Sequence, residues 1–380
     1  MGEQLLEAMG RLRLIESTSI PILSVYLDLA PERVERRSIG ARLRDLLAPL
    51  EQLASSGDLD HDSSMSLRAG IDRVLDMEPI FATELGRGTA VFVCDRLDLT
   101  EHLTMPRRIW DCAVAGPHPY LRPLQAVLDE FRRVVAVVLD ARGAEIVMYH
   151  MGDTLERHVI EAEELRKSDL AGWHGLEERR HRNHAEEARN RLFREIAERL
   201  DRLRRDAGVE LVLVGGQEEV TKALLPFLDD RVAAITQEFV IDLHTLTPSI
   251  LASEVARLEE EFERREEARE VEETYAAAAE GDLSVVGVER VLRAANHLAV
   301  ARLYLHDGAI LPGSVCAGCG ALWSPVTSCI ECGGEVSPVP DVFELLARSV
   351  ADSGGSVEHV MATTRLAADL VAAKLRFVSW

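Results

Sequence analysis

Val134-Val-Ala-Val-Val-Leu-Asp-Ala-Arg-Gly-Ala-Glu-Ile-Val-Met-Tyr149 is the stretch on which the architecture turns. The apolar run 134–139 reads as a strand buried on both faces, because no polar residue interrupts it. Asp140-Ala-Arg-Gly143 reads as a turn and Ala144–Tyr149 as the return strand, so a β-hairpin is expected. Downstream, Ala188, Leu192, Ile196, Leu200 and Leu203 form one stripe of a long amphipathic helix, which Gly208 ends. Val209–Val214 reads as a further strand and 218–228 as a helix. Strands that alternate with helices predict an α/β domain over about 129–247.

Working toward the N-terminus, Ile20–Asp28 reads as a strand. A helix follows over about 37–55, with Ile39, Leu43, Leu46, Leu47 and Leu50 at helical spacing. Ser55-Ser-Gly-Asp58 breaks it, a second helix runs over Ser64–Leu75, and Thr89–Cys94 is a buried strand. Toward the C-terminus, Thr247-Pro-Ser249 signals a helix start. Residues 253–274 hold ten Glu and four Arg, which reads as a solvated connecting helix with Leu251, Val255, Leu258 and Phe262 on its buried face. Val288–Leu298 and Asp341–Ser353 read as helices, and Val300–Leu305 and Val357–Met361 as strands. The expected fold class is α/β and α+β in three domains. These are a helical-hairpin α+β domain over 1–128, a mixed-sheet α/β domain over 129–275, and an α/β/α domain over 276–380 with an insert at 312–338.

Composition agrees. At 380 residues the chain exceeds one ordinary domain of roughly 100–200 residues. Lys and Arg number 43 against 65 Asp and Glu, a net charge of −22, which argues against a protein that coats nucleic acid over its whole surface. A local basic site remains compatible with that charge. No apolar run long enough to span a bilayer occurs. The opening MGEQLLEAMGRLRLIE has no apolar core of signal-peptide type, and Leu6 stands where a myristoylation signal prefers Ser or Thr. A cytoplasmic protein with neither membrane nor DNA as a partner is expected.

Four of the six cysteines form two tight pairs, Cys316-Ala-Gly-Cys319 and Cys329-Ile-Glu-Cys332. Two residues between thiolates let both sulfurs reach one ion, and Gly320 and Gly333 permit the turns that follow. In a reducing compartment such pairs bind metal more often than they form disulfides. A closed site of four thiolates has no open position for water, so a structural zinc in a zinc-ribbon-like insert is expected. The alternative is a vacant knuckle with free thiols.

The most basic stretch is 172–184, followed by a helix. Trp173, His174, Arg179, Arg180, His181, Arg182, His184 and Arg189 are the candidates for RNA contact: guanidinium groups suit phosphate, and an aromatic ring can stack on a base. The alternative is that these arginines pair with Glu177, Glu178, Glu186, Glu187 and Glu195. Gly215-Gly216-Gln217 is a third motif, and its plain reading is a strand that ends in a glycine turn. No Walker loop, G-x-G-x-x-G, H-E-x-x-H or G-x-S-x-G is present, Asp111-Cys112 has no evident local partner, and no catalytic residue is assigned.

Ser24-Val-Tyr-Leu-Asp28 with the helical hairpin, the hairpin at 134–149, Gly287–Val300, the cysteine insert and Val371–Phe377 together resemble the archaeal and eukaryotic class-one peptide-chain release factor and Pelota family. The nearest likeness is its divergent bacterial branch, with Balon-like ribosome hibernation factors. That resemblance implies a ribosome-binding translation factor that occupies the aminoacyl site, contacts ribosomal RNA through 173–184, and has an elongation-factor GTPase as a candidate partner. In the family, Gly-Gly-Gln precedes the long helix and acts at the peptidyl transferase centre. Here the matching place, 172–184, lacks it, and Gly215–Gln217 lies after the helix. The family's stop-codon loop corresponds to Ser55–Ser63, which is acidic and lacks the family motif. The resemblance therefore implies occupancy without peptide release, in hibernation, stress or rescue. Its alternatives are a peptidyl-tRNA hydrolysing rescue factor and a scaffold away from the ribosome.

Overall fold

The computed structural model describes residues 2–17, 20–30, 39–129, 132–140, 143–161, 176–243 and 245–377, and their side chains except at 3, 129 and 176–185. The chain forms two compact units, Phe131–Phe262 and the combination of Met1–Glu130 with Glu263–Trp380. The α/β and α+β class expected from the sequence is what these units show.

In the unit Phe131–Phe262, a five-stranded sheet runs in the order Asp153–Glu161, Gly143–His150, Val134–Asp140, Leu211–Gly216, Thr236–Val240. The expected hairpin is present, with Asp140 opposite Gly143; residues 141–142 lie outside the described residues. The next two strands run parallel to Val134–Asp140. The apolar run has a use on both faces, since side chains alternate across a strand. Val135, Val137 and Leu139 pack with Leu192, Phe193, Ile196 and Leu200 of the long helix Leu176–Ala207. Val134, Ala136 and Val138 pack with Leu251 and Val255 of the helix Pro248–Glu280. The strands Asp153–Glu161 and Thr236–Val240 were not expected from the sequence. Each buries a single residue, Ile160 and Phe239, so neither carries an apolar pattern.

In the other unit, an antiparallel sheet is ordered Leu99–Met105, Gly88–Cys94, Ile22–Asp28, Cys112–Gly116. The helices Ile39–Ser56 and His61–Asp76 cover one face, packing with Leu23, Val25 and Leu27. Their connection is tight: Asp60 caps the second helix by accepting from the Ser63 amide at 2.9 Å and its hydroxyl at 2.7 Å. Helix therefore takes part of the stretch 55–63 read from the sequence as loop. Asp111 also has a partner that sequence proximity hides, the Arg42 guanidinium at 2.5 Å.

A second sheet in this unit is ordered Ser284–Val286, Val371–Leu375, Val300–His306, Ser356–Val360. Val288–Asn296 and Val342–Asp352 pack on one face. Against the other lies Val271, from the second half of Pro248–Glu280, with Tyr304, Val360 and Ala372. This corrects the reading of 248–273 as a solvated connector. Glu263 and Glu267 are each 3% exposed. Glu267 accepts from the amides of Met361 and Ala362 at 2.9 and 2.6 Å and pairs with Arg264 at 2.9 Å. A carboxylate held by two backbone N–H groups and a guanidinium can leave water.

A buried polar clasp joins the sheet containing Ile22–Asp28 to the helix Val342–Asp352. The Arg122 side chain is fully covered, and its guanidinium reaches Asp341 at 3.0 Å and the Tyr120 hydroxyl at 2.8 Å. It also donates to the Ala309 carbonyl and lies over the Trp110 ring. The Tyr120 hydroxyl donates to Asp341 at 2.8 Å, and the Tyr26 hydroxyl to the Tyr120 carbonyl at 2.6 Å. Glu344 accepts from the amides of Leu121 and Arg122 at 3.3 and 3.0 Å, at the start of the helix Arg122–Asp129. Burial pushes its carboxyl up to about 7, although those amides oppose the shift.

Two outcomes follow. Arg122→Ala strands a buried Asp341 carboxylate and should cost about 3–5 kcal/mol of stability; a loss under about 1 kcal/mol in chemical denaturation would contradict the clasp. Glu344 binds its proton more tightly folded than unfolded, so its stabilising contribution is full below its ordinary value of 4.5 and is lost as pH rises through about 7. Glu344→Gln should therefore flatten the fall in stability between those values, and an unchanged pH profile would count against the assignment.

Candidate metal centre and basic helix

The strands Gly313–Cys316, Leu322–Trp323 and Val336–Val339 form a three-stranded sheet with the first in the middle. Trp323, 2% exposed, fills its small core with Ala321, Val326 and Val336. Cys316 ends the central strand. The Gly320 amide turns back to the Cys316 carbonyl, and the Gly333 amide to that of Cys329. Gly320 and Gly333 sit at φ 73° and 72°, the left-handed region that favours glycine. The two pairs are thus the same turn used twice.

These turns bring the four sulfurs of Cys316, Cys319, Cys329 and Cys332 within 4.8 Å of one another. Cys316 to Cys332 is 3.5 Å and Cys319 to Cys329 is 3.6 Å. A disulfide needs about 2.05 Å, whereas a tetrahedron with sulfur about 2.3 Å from its centre has edges of about 3.8 Å. All four thiols are free. Amides of Cys319 and Gly318 point at the Cys316 sulfur from 3.4 and 3.3 Å and lower its pKa, and the Cys332 amide holds Cys329 down to about 6, while neighbouring sulfurs push Cys319 and Cys332 up. Amide dipoles directed at sulfur favour the thiolate, the form that ligates metal. The donor set fits a four-coordinate ion such as zinc. The same insert packs on the fold through Asn296, whose side chain exchanges hydrogen bonds with the backbone of Leu322 at 2.8 and 3.0 Å.

Of the candidate RNA-contacting residues, Trp173 and His174 lie outside the described residues, as do the side chains of Arg179, Arg180, His181, Arg182 and His184. The helix Leu176–Ala207 begins just before the last five. Arg189 is exposed, although it lies one turn before Phe193 on the packed stripe, so the packed part of this helix starts at Leu192. Further along, carboxylates take up several arginines. Arg199 pairs with Glu156, and Arg204 and Arg205 reach Asp201 at 3.5 and 3.1 Å. Arg189, Arg194 and Arg202 are exposed with no ion pair among the described residues.

Gly215-Gly216-Gln217 has a structural explanation. Both glycines are buried at the end of the strand Leu211–Gly216, between Val134–Asp140 and Thr236–Val240. A Cβ on Gly215 would run into the Phe239 ring, and one on Gly216, at φ 152°, into the Leu139 carbonyl. Gln217 is exposed and begins the helix Glu218–Leu224, its carbonyl accepting from Val220 and Thr221. The glycines are there because two neighbouring strands leave no room for a side chain.

Residues 119–264 match the profile described as "Bacterial archaeo-eukaryotic release factor family 10". The comparison with curated proteins finds no match. Among solved structures, the archaeal translation termination factor aRF1 is 16% identical, with 99% of this chain and 98% of that one covered and a TM-score of 0.28. Ribosome-bound archaeal Pelota is 18% identical, with coverages of 77% and 78% and a TM-score of 0.42. S. cerevisiae Dom34, described as termination-like and interacting with Hbs1, is 13% identical, with coverages of 77% and 80% and a TM-score of 0.40. Residues 119–264, which include the hairpin Val134–His150, are thus similar to that bacterial release-factor family.

Proposed function

We propose that the protein is a ribosome-binding factor that occupies the aminoacyl site without releasing peptide, in ribosome hibernation, stress or rescue. The observation that carries this reading is the family match over 119–264, which spans the basic helix and the strand ending in Gly215-Gly216. Exposed Arg189, Arg194 and Arg202 supply cations for phosphate contact on a chain of net charge −22. The stretch 173–184 would supply the rest of that surface. Its setting is the cytoplasm, and an elongation-factor GTPase is a candidate partner.

Absence of peptidyl-tRNA hydrolysis is part of the proposal. Orienting a water at an ester needs a loop free to enter the peptidyl transferase centre. Gly215 and Gly216 are instead buried strand positions between two neighbours. Between the helices Ile39–Ser56 and His61–Asp76, the acid Asp60 is engaged as a helix cap in the loop where relatives read a codon, which supports a role without codon reading. Zinc in the Cys316, Cys319, Cys329, Cys332 site would hold the insert folded, since so small a sheet has little core of its own.

Four measurements test this reading. In cosedimentation with 70S ribosomes across a salt series, a bound fraction at low salt that falls as salt rises is expected. The reading fails if no fraction pellets at low salt, or if the protein releases labelled peptide from stalled complexes and Gln217→Ala abolishes that release. Purified protein should carry about one zinc per chain, and Cys316→Ala should open residues 312–338 to proteolysis while the rest stays protected. Unchanged protection of that segment would remove the structural role of the metal.

A further inference from the structure

The geometry points to a binding site for a small aryl or short-chain carboxylate, in the cavity between the helix Gly2–Leu12, the segment 114–121 and the helix Val342–Asp352. The cavity measures about 170 Å³, comparable to the roughly 150 Å³ of an engineered cavity that takes up benzene. Leu12, Ile15, Val114, Pro117, Leu121 and Leu345 give it largely apolar walls, so one ring or a short alkyl chain fits it.

The polar groups decide the sign of the ligand's charge. Both carboxylates on the wall are already served. Asp341 takes the amides of Leu311 and Phe343, the Tyr120 hydroxyl and the Arg122 guanidinium. Glu344 takes the amides of Leu121 and Arg122. A cationic ligand would have to compete with those donors. The lining cations are less committed. Arg348 is exposed and has no ion pair among the described residues. Arg13 reaches Asp352 only at 3.6 Å, with both side chains more than half exposed. Surface pairs of that kind are weak. Two guanidinium groups at the mouth of an apolar cavity suit a carboxylate head on an apolar body. Burial of Glu344 raises its pKa toward neutrality, which reduces repulsion of that anion.

Such a ligand would touch elements on both sides of the Arg122 clasp, so binding should raise the unfolding temperature of the full-length protein. The test uses phenylacetate, with 2-phenylethanol as the uncharged control, read by calorimetric titration and thermal unfolding. Saturable binding of phenylacetate is expected, with a higher Tm and weaker binding of the alcohol. Arg348→Gln, at an exposed position, should weaken phenylacetate roughly tenfold or more, as loss of a charge-assisted hydrogen bond does. Ala351→Phe, which places a ring in the cavity, should abolish binding of both compounds. The proposal is overturned if phenylacetate shows no saturable binding, if the alcohol binds as tightly, or if the Arg348→Gln protein binds phenylacetate as the natural chain does.

Discussion

The unit built from both ends of the chain depends on one buried ion pair. Arg122 and Asp341 are 219 residues apart in sequence, yet their side chains are 0% and 2% exposed and 3.0 Å apart. A guanidinium removed from water needs its hydrogen bonds replaced, and here Asp341, the Tyr120 hydroxyl and the Ala309 carbonyl serve Nε and one Nη, while the other Nη has no hydrogen-bond partner and the group lies over the Trp110 ring. Tyr120 in turn is held by Ser24 and Tyr26 on the strand Ile22–Asp28. The odd residues of that strand face the helical hairpin while these even ones face the clasp. One strand therefore serves an apolar core on one side and a polar junction on the other.

The hairpin-centred unit follows a different constraint, close packing around a central parallel pair. Val134–Asp140 and Leu211–Gly216 each lie between two neighbours, so their side chains are committed to the cores on either face. That crowding accounts for Gly215 beneath Phe239 and Gly216 beside Leu139. The tripeptide's letters match those used by peptide-releasing relatives, but its setting is a strand end. Chemistry depends on where a motif can reach, and these two glycines are fixed in a packed strand.

Signals that are local in the chain were legible in it. The hairpin 134–149, the helical stripe through Leu192, Ile196 and Leu200, and the two cysteine pairs each depend on residues within a few positions of one another, and each stands where it was read. Signals that depend on a distant surface were not. The edge strands Asp153–Glu161 and Thr236–Val240 each bury one residue, Ile160 and Phe239, and are otherwise held chiefly by their backbone ladders. Arg122 is, in sequence, one arginine among many. Glu263 and Glu267 lie in an acidic helix and read as solvent-facing, but folding brings the backbone of Met361 and Ala362 against Glu267.

The chain's own pattern determined its element types, its two cysteine knuckles and the alternation that predicts an α/β unit, because periodicity and turn chemistry are properties of neighbouring residues. Only the tertiary structure decided which charges are buried and that Gly215 and Gly216 are packing positions. Those outcomes depend on which remote backbone or side chain supplies the partner, and sequence spacing carries no information about that.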